Sequence, residues 1–244
     1  MNDLFARTRL LLGRDGLDRL AAARVAVFGI GGVGGYVVEA LARSGVGALT
    51  LVDSDTVALS NLNRQLEALD STVGLPKAEA VARRVRDINP YAVLHPMEAL
   101  YNADNREQFF PAGCRYDYIV DAIDLVSCKL DLAETARRLD VPLIMALGTG
   151  NKLDPSLLRL ADISETYGCP LARVMRRELK KRGVTGVKAV YSTEEALTPQ
   201  TAQAGDTKGT AGRPTPGSMA FVPSVAGLIL AGEIVRDLLD GTQQ

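Results

Sequence analysis

Tryptophan is absent from this 244-residue sequence, and five Phe and seven Tyr are its only aromatic residues. So sparse a set argues against a surface that stacks successive nucleobases. Cysteine occurs three times, at Cys114, Cys128 and Cys169, with no Cys-x-x-Cys pair. That excludes a four-thiolate zinc site, and an odd, scattered set points to a reducing compartment, the cytoplasm. The single histidine, His95, stands beside Pro96 in a weak strand and reads as a packing or surface residue rather than a general base. Neither sign of charge prevails: 28 Lys and Arg face 29 Asp and Glu. No global field therefore draws the chain to a polyanion, and any such partner needs a local patch. Long apolar runs are missing too. The start, "MNDLFARTRLLLG", has charges inside its apolar stretch and no small-residue cleavage site, unlike a signal peptide. The tail from Phe221 to Leu239 is interrupted by Glu233, Arg236 and Asp237. It suits a docked amphipathic helix better than a membrane span, which takes about 20 mostly apolar residues, so no membrane partner is expected.

What is present suits one domain with a sizeable core, 47% apolar and 23% charged. Residues 4–23 alternate charged and apolar positions at helical spacing, as two short helices. "RVAVFGI" and "ALTLVD" read as buried strands around a glycine-opened helix ending near Arg43. A helix from Lys77 to Ile88 follows Pro76, "AVLHPME" is a weak strand, and "DYIVDAI" and "VPLIMAL" are strong ones flanking the helix "LVSCKLDLAETARRL". Strands alternating with helices call for an α/β fold, a doubly wound, mostly parallel Rossmann-like sheet. Then come a strand "LLRLADI", a helix "CPLARVMRRELKKRG" and a strand "VKAVYS". The expected organisation is a single domain over 1–244: N-terminal helices at 1–23, a nucleotide-binding core at 24–147, and a substrate-side extension at 148–244. Within the extension, the Thr-, Gly- and Pro-rich stretch 198–218 is too long for a simple connection and reads as a functional or disordered loop.

Gly29, Gly31, Gly32 and Gly34 follow a strand and open a helix, the context in which a glycine fingerprint cradles phosphate. Asp53, at the end of the next strand, is placed to accept ribose hydroxyls, and Asp55 lies two residues on. An adenine nucleotide fits these residues, but alone they do not separate NAD from ATP. Asn61, Arg64, Gln65 and Lys77 bear on that choice. Arg offers phosphate a bidentate fork and Lys a mobile point charge, groups that a triphosphate needs and a nicotinamide does not. Two acids end the strand "DYIVDAID". Asp124 is the candidate Mg²⁺ ligand, since Mg²⁺ takes one or two protein carboxylates plus phosphate oxygens and water. Asp121 reads equally as a second site carboxylate or as a strand-end cap.

"GIGGVGGY", "LVDSDTVALSNLNRQ", "GLPKAEA" and "VDAID" together resemble the E1-like adenylating superfamily (ThiF/MoeB/HesA-like), which activates a carboxylate as an acyl-adenylate. "RTRLLLGRDGLDRL", "DAIDLVSCK", "ALGTGNKLDP", "ADISETYGCPLARVMRRELKKRGV", "VYSTE" and "FVPSVAGLILAG" resemble, within it, the tRNA threonylcarbamoyladenosine dehydratases, over nearly the whole chain. The resemblance implies an ATP- and Mg²⁺-dependent cyclisation of the modified adenosine beside a tRNA anticodon. A threonyl carboxylate attacks the α-phosphate of ATP, and the carbamoyl oxygen then closes a ring with loss of AMP. It implies that Asp53 holds ribose, that Asn61, Arg64 and Lys77 hold phosphates, and that Asp124 holds the metal. It also implies a homodimer in which Arg7, with Arg9 as the neighbouring alternative, reaches the partner's ATP site. A sulfur-relay protein is a further partner that it allows.

Arg173, Arg176, Arg177, Lys180 and Lys181 recur at i, i+3, i+4, i+7 and i+8, lining one helical face with cations suited to RNA phosphates. A solvated surface helix is the plainer reading of such a run, but only Glu178 dilutes the stripe, which favours RNA contact. Gly150, Asn151, Lys152 and Asp154 follow a strand end and are expected near the crevice. Three other functions compete, one of them a non-catalytic nucleotide-sensing module, which the complete ATP site disfavours. An activator of a ubiquitin-like sulfur carrier is disfavoured by the missing cysteine pairs. An NAD-dependent oxidoreductase is disfavoured by the Asn, Arg, Gln and Lys set.

Overall fold

The computed structural model describes residues 4–113, 115–199 and 216–241. Helix α1 (Ala6–Ala22) is followed by β1 (Arg24–Phe28), α2 (Gly34–Ser44), β2 (Ala48–Val52), α3 (Lys77–Ile88) and β3 (Val93–Met97). The chain continues through β4 (Tyr118–Asp121), α4 (Val126–Leu139), β5 (Leu143–Ala146), β6 (Leu158–Asp162), α5 (Pro170–Lys181), β7 (Lys188–Ser192) and α6 (Phe221–Asp240). The two short N-terminal helices of the sequence reading are the halves of α1, divided by a kink at Gly13, whose φ is 69°.

The seven strands among the described residues form one sheet in the order β3-β2-β1-β4-β5-β7-β6. Every pairing is parallel except β6 with β7, which is antiparallel. The alternation of strand side chains sorts the core into two layers. Val25 and Val27 of β1 face α2, α3 and α6, where Val37, Leu41, Val81, Ala226 and Leu230 pack. Ala26 and Phe28 face the other way, onto Leu132, Ala133 and Ala136 of α4 and Ala172, Met175 and Leu179 of α5. Central strands are covered on both faces and so read as continuous apolar runs. Edge strand β3 is largely exposed and tolerates Pro96.

The apolar tail is α6, which buries Val222, Ala226, Leu230 and Ile234 at intervals of four. It presses so close to α2 that a Cβ on Gly227 would lie 2.5 Å from the Val33 carbonyl oxygen. No helix among the described residues is long and apolar enough to cross a membrane. Most of the 198–218 stretch, residues 200–215, lies outside the described residues, as does Cys114.

Candidate active site

Strand order reverses between β1 and β4, and a doubly wound sheet opens its ligand crevice at the carboxyl ends of such a pair. A cavity of about 640 Å³ lies there. β1 leads into Gly29, Gly31 and Gly32 on its wall, β2 into Asp53, Ser54 and Asp55, β3 into Ala99, Leu100 and Tyr101, and β4 into Ile123 and Asp124. Asn61, Arg64, Gln65 and Lys77 complete the polar side, while Phe28, Val52 and Leu125 give an apolar floor.

The glycine loop depends on close backbone approach. A Cβ at Gly34 would lie 1.8 Å from the Gly29 carbonyl oxygen, and Gly29 itself has a φ of +85°. Gly34 lies in the first turn of α2 rather than among the cavity-lining residues. The Asp53 carboxylate holds the loop in place: Oδ2 accepts from the Ile30 N–H at 2.7 Å and Oδ1 from the Asp55 N–H at 2.9 Å. Each oxygen keeps a second lone pair for a ribose hydroxyl.

Lys77 opens α3 with 6% of its surface exposed, and its Nζ lies 2.9 Å from Asp55 Oδ2. Asp55 is thus the partner that aims Lys77. Asn61 turns its Oδ1 inward to accept from the Ala58 N–H at 3.0 Å, leaving its amide NH₂ as the group with donors to offer. Arg64 Nη1 donates to the Ser60 carbonyl and to Asn63 Oδ1, both at 2.9 Å. Asn63 in turn donates to the Ser218 carbonyl at 2.9 Å, tying the arginine's turn to the far wall.

That wall is formed by Thr149, Gly150, Pro216, Ser218 and Pro223. Asn151, in the left-handed region with a φ of 57°, is its staple. Its N–H donates to the Gly217 carbonyl at 2.7 Å, its Oδ1 accepts from the Gly217 N–H at 2.6 Å, and its carbonyl accepts from the Leu197 N–H at 2.9 Å. Lys152 is buried and donates to the Glu194 carbonyl, and Asp154 caps the following turn through the Ser156 N–H. Neither of these two lines the cavity.

Of the two readings of Asp121 the strand-end cap holds, its Oδ1 accepting from the Ile123 N–H at 3.1 Å, and the second site carboxylate does not. Asp121 is fully buried, does not line the cavity, and pairs with the equally buried Lys129 of α4 at 3.0 Å. Asp121 and Ile119 share strand parity, which turns both toward α4, so of the two acids ending β4 only Asp124 reaches the cavity. No group of three or more His, Cys, Asp and Glu gathers into a metal cage among the described residues. One carboxylate beside a polyphosphate is nevertheless a donor set that suits Mg²⁺.

A model described as the ThiF family matches residues 5–244. The chain belongs to the ThiF family. Among its ThiF-family relatives, the tRNA threonylcarbamoyladenosine dehydratase of Bacillus subtilis (strain 168) is 43% identical over 241 residues, 96% of this chain and 94% of that protein. Crystal structures of the E. coli tRNA N6-threonylcarbamoyladenosine dehydratase superpose closely. The complex with AMP has a TM-score of 0.86 and 35% identity, covering 98% of this chain and 96% of that one. The complex with ATP has a TM-score of 0.84 and 35% identity, covering 97% and 93%.

In this ThiF-family chain the remaining expected residues lie outside the cavity. Arg7 is exposed on α1, away from the cavity of its own chain. On α5, Arg173, Arg177, Lys180 and Lys181 are exposed, whereas Arg176 is half-buried and donates to the Thr166 carbonyl and hydroxyl. Glu178 pairs with Arg177, Lys181 and Arg182, and these partners hold its carboxyl down at about 2. Cys128 and Cys169 are buried thiols.

Sequence reasoning missed Lys129, Asn63 and Glu67. Lys129 left a trace, a cation in register with Leu132, Ala133 and Ala136 on the buried face of α4. Asn63 and Glu67 sit in an irregular turn with no period to betray them.

Proposed function

We propose that this chain is an ATP-dependent tRNA threonylcarbamoyladenosine dehydratase, which adenylates the threonyl carboxylate of the modified adenosine and cyclises it. The observation that carries this reading is the convergence of Asp53, Asn61, Arg64, Lys77 and Asp124 on one crevice-end cavity. A nucleotide cleaved at its α-phosphate requires such a set. The relatives' names and the bound ATP and AMP of the E. coli structures support it.

The threonyl carboxylate attacks the α-phosphorus, the bond to the bridging oxygen breaks, and pyrophosphate leaves. Arg64 and Lys77 neutralise charge on the phosphoryl oxygens, with Lys77 preset by Asp55. Asp124 would hold Mg²⁺, which supplies further neutralisation of the polyphosphate. The carbamoyl group of the same side chain then attacks the activated acyl carbon, AMP departs, and the RNA has lost one water. Because the second nucleophile is already tethered, no enzyme thiol is needed, in keeping with the burial of Cys128 and Cys169.

Exposed Arg7, outside its own cavity, fits a homodimer in which it serves the partner's site. The cations of α5 fit contact with tRNA phosphates. A cytoplasmic location follows from the tRNA substrate, and a sulfur-relay protein would act on the assembled enzyme.

The test is incubation of the purified protein with Mg-ATP and tRNA bearing threonylcarbamoyladenosine, then digestion and mass analysis. The expected product is a nucleoside lighter by one water, formed only with ATP. An unchanged nucleoside, alongside ATP–pyrophosphate exchange driven by a Gly-Gly-tailed carrier protein, would overturn the reading in favour of a carrier-activating enzyme.

A further inference from the structure

Glu67 is 3% exposed, and both of its carboxyl oxygens are buried without a hydrogen-bond partner. It lies behind the glycine loop, against the first turn of α2, where a Cβ on Gly35 would come 3.0 Å from Oε2. The charged groups that act on it are Lys77 at the start of α3, Asp53 at the end of β2 and Arg64 on the adjoining turn. The same three line the cavity. A bare carboxylate so enclosed is costly, and native folds seldom leave one without a purpose.

We propose that Glu67 is the proton acceptor of nucleotide binding, taking a proton from solvent onto its carboxyl as the phosphates enter the cavity in front of it. Before binding, Lys77 and Arg64 help sustain the ionised form. Burial opposes them and pushes the carboxyl up to about 7, so both forms are present near neutrality. An arriving polyphosphate adds negative charge and engages the same two cations, and both effects favour the protonated acid. The acid form removes a like charge from behind the phosphates. This inference rests on the ATP reading of the cavity and adds to it a residue that touches no substrate.

The test is isothermal titration calorimetry of the full chain with Mg-ATP and no RNA, in buffers of differing ionisation enthalpy such as HEPES and Tris. Between a free value near neutrality and a raised bound value, uptake reaches roughly half a proton at pH 7.5 and falls toward zero at pH 5.5. Glu67→Gln keeps the shape, removes the titrating group, and is expected to abolish most of the uptake while still binding ATP. Heats of the parent protein that are independent of buffer at pH 7.5, with binding intact, would overturn the proposal and leave the ATP reading standing. Equal uptake by parent and variant would overturn it as well. Absence of binding by the parent would overturn both.

Discussion

Replacing Lys129 by methionine isolates the physics of the buried pair beneath the site. Lys129 and Asp121 are both 0% exposed, with Nζ 3.0 Å from Oδ1. The ammonium also donates to the Ala146 carbonyl at 2.9 Å and the Ile123 carbonyl at 3.2 Å, joining the ends of β4 and β5. Methionine retains most of the side-chain volume but strips the charge partner from a carboxylate whose Oδ2 has no partner and whose Oδ1 keeps only the Ile123 N–H. Breaking a buried pair in this way costs about 3–5 kcal/mol. For a chain of this size each kcal/mol moves Tm by about 2–4 °C, so the fall at pH 8 is roughly 6–20 °C. Acid softens it. Burial pushes the Asp121 carboxyl up while Lys129 draws it down, so without the lysine the folded value rises further above the unfolded one. The stability of the variant is then fully present below the unfolded value and lost as pH rises through the folded one. Thermal unfolding followed by circular dichroism at pH 5 and pH 8 reads this directly. The double variant Lys129→Met with Asp121→Asn, which removes both charges, should recover much of the loss. A single variant as stable as the parent at pH 8, or a double variant no better than the single, would refute the reasoning.

Three other outcomes are expected. Arg64→Ala and Lys77→Ala should each lower tRNA-dependent ATP–pyrophosphate exchange by on the order of 10²–10³. Parental exchange rates in both variants would remove the phosphate roles. Glu67→Gln should stabilise the nucleotide-free protein by about 3 kcal/mol at pH 8, the worth of moving its carboxyl from 4.5 to about 7. Because that raised value gives stability present below the unfolded one and lost as pH rises through the folded one, the gain should vanish near pH 4; chemical denaturation across that range measures it. Finally, Arg173 and Lys180 make no ion pair among the described residues, so replacing both by Ala should flatten the salt dependence of tRNA binding by up to about two counterions. An unchanged slope would place the RNA elsewhere.

The sheet was legible because its central strands are apolar on both faces, and "RVAVF", "ALTLV" and "LIMA" fall where the runs stand. The polar side of the cavity was legible because Asn61, Arg64 and Lys77 are too many donors for an ordinary turn. Asp121 was not. A strand-end position tells which end of the sheet a side chain occupies, but parity tells which face, and reading parity requires knowing that α4 covers that face. Thr149, Pro216 and Ser218 met through long-range folding that no local pattern announces. Nothing in "NRQLEALD" marks Glu67, since only the tertiary structure shows that the turn points inward.

The docking of α6 gives the nucleotide site a place in time. Its Pro223 belongs to the cavity wall, and its Ala226, Leu230 and Ile234 back the helix that the glycine loop opens. During synthesis the glycine loop, its acid and every strand of the sheet leave the ribosome before Phe221 does. A chain halted short of that residue shows the whole fingerprint yet lacks Pro223 of the wall and the α6 side chains that back α2. Nucleotide binding is therefore a property that arrives with the last helix described, and it marks a polypeptide whose translation has run past α6.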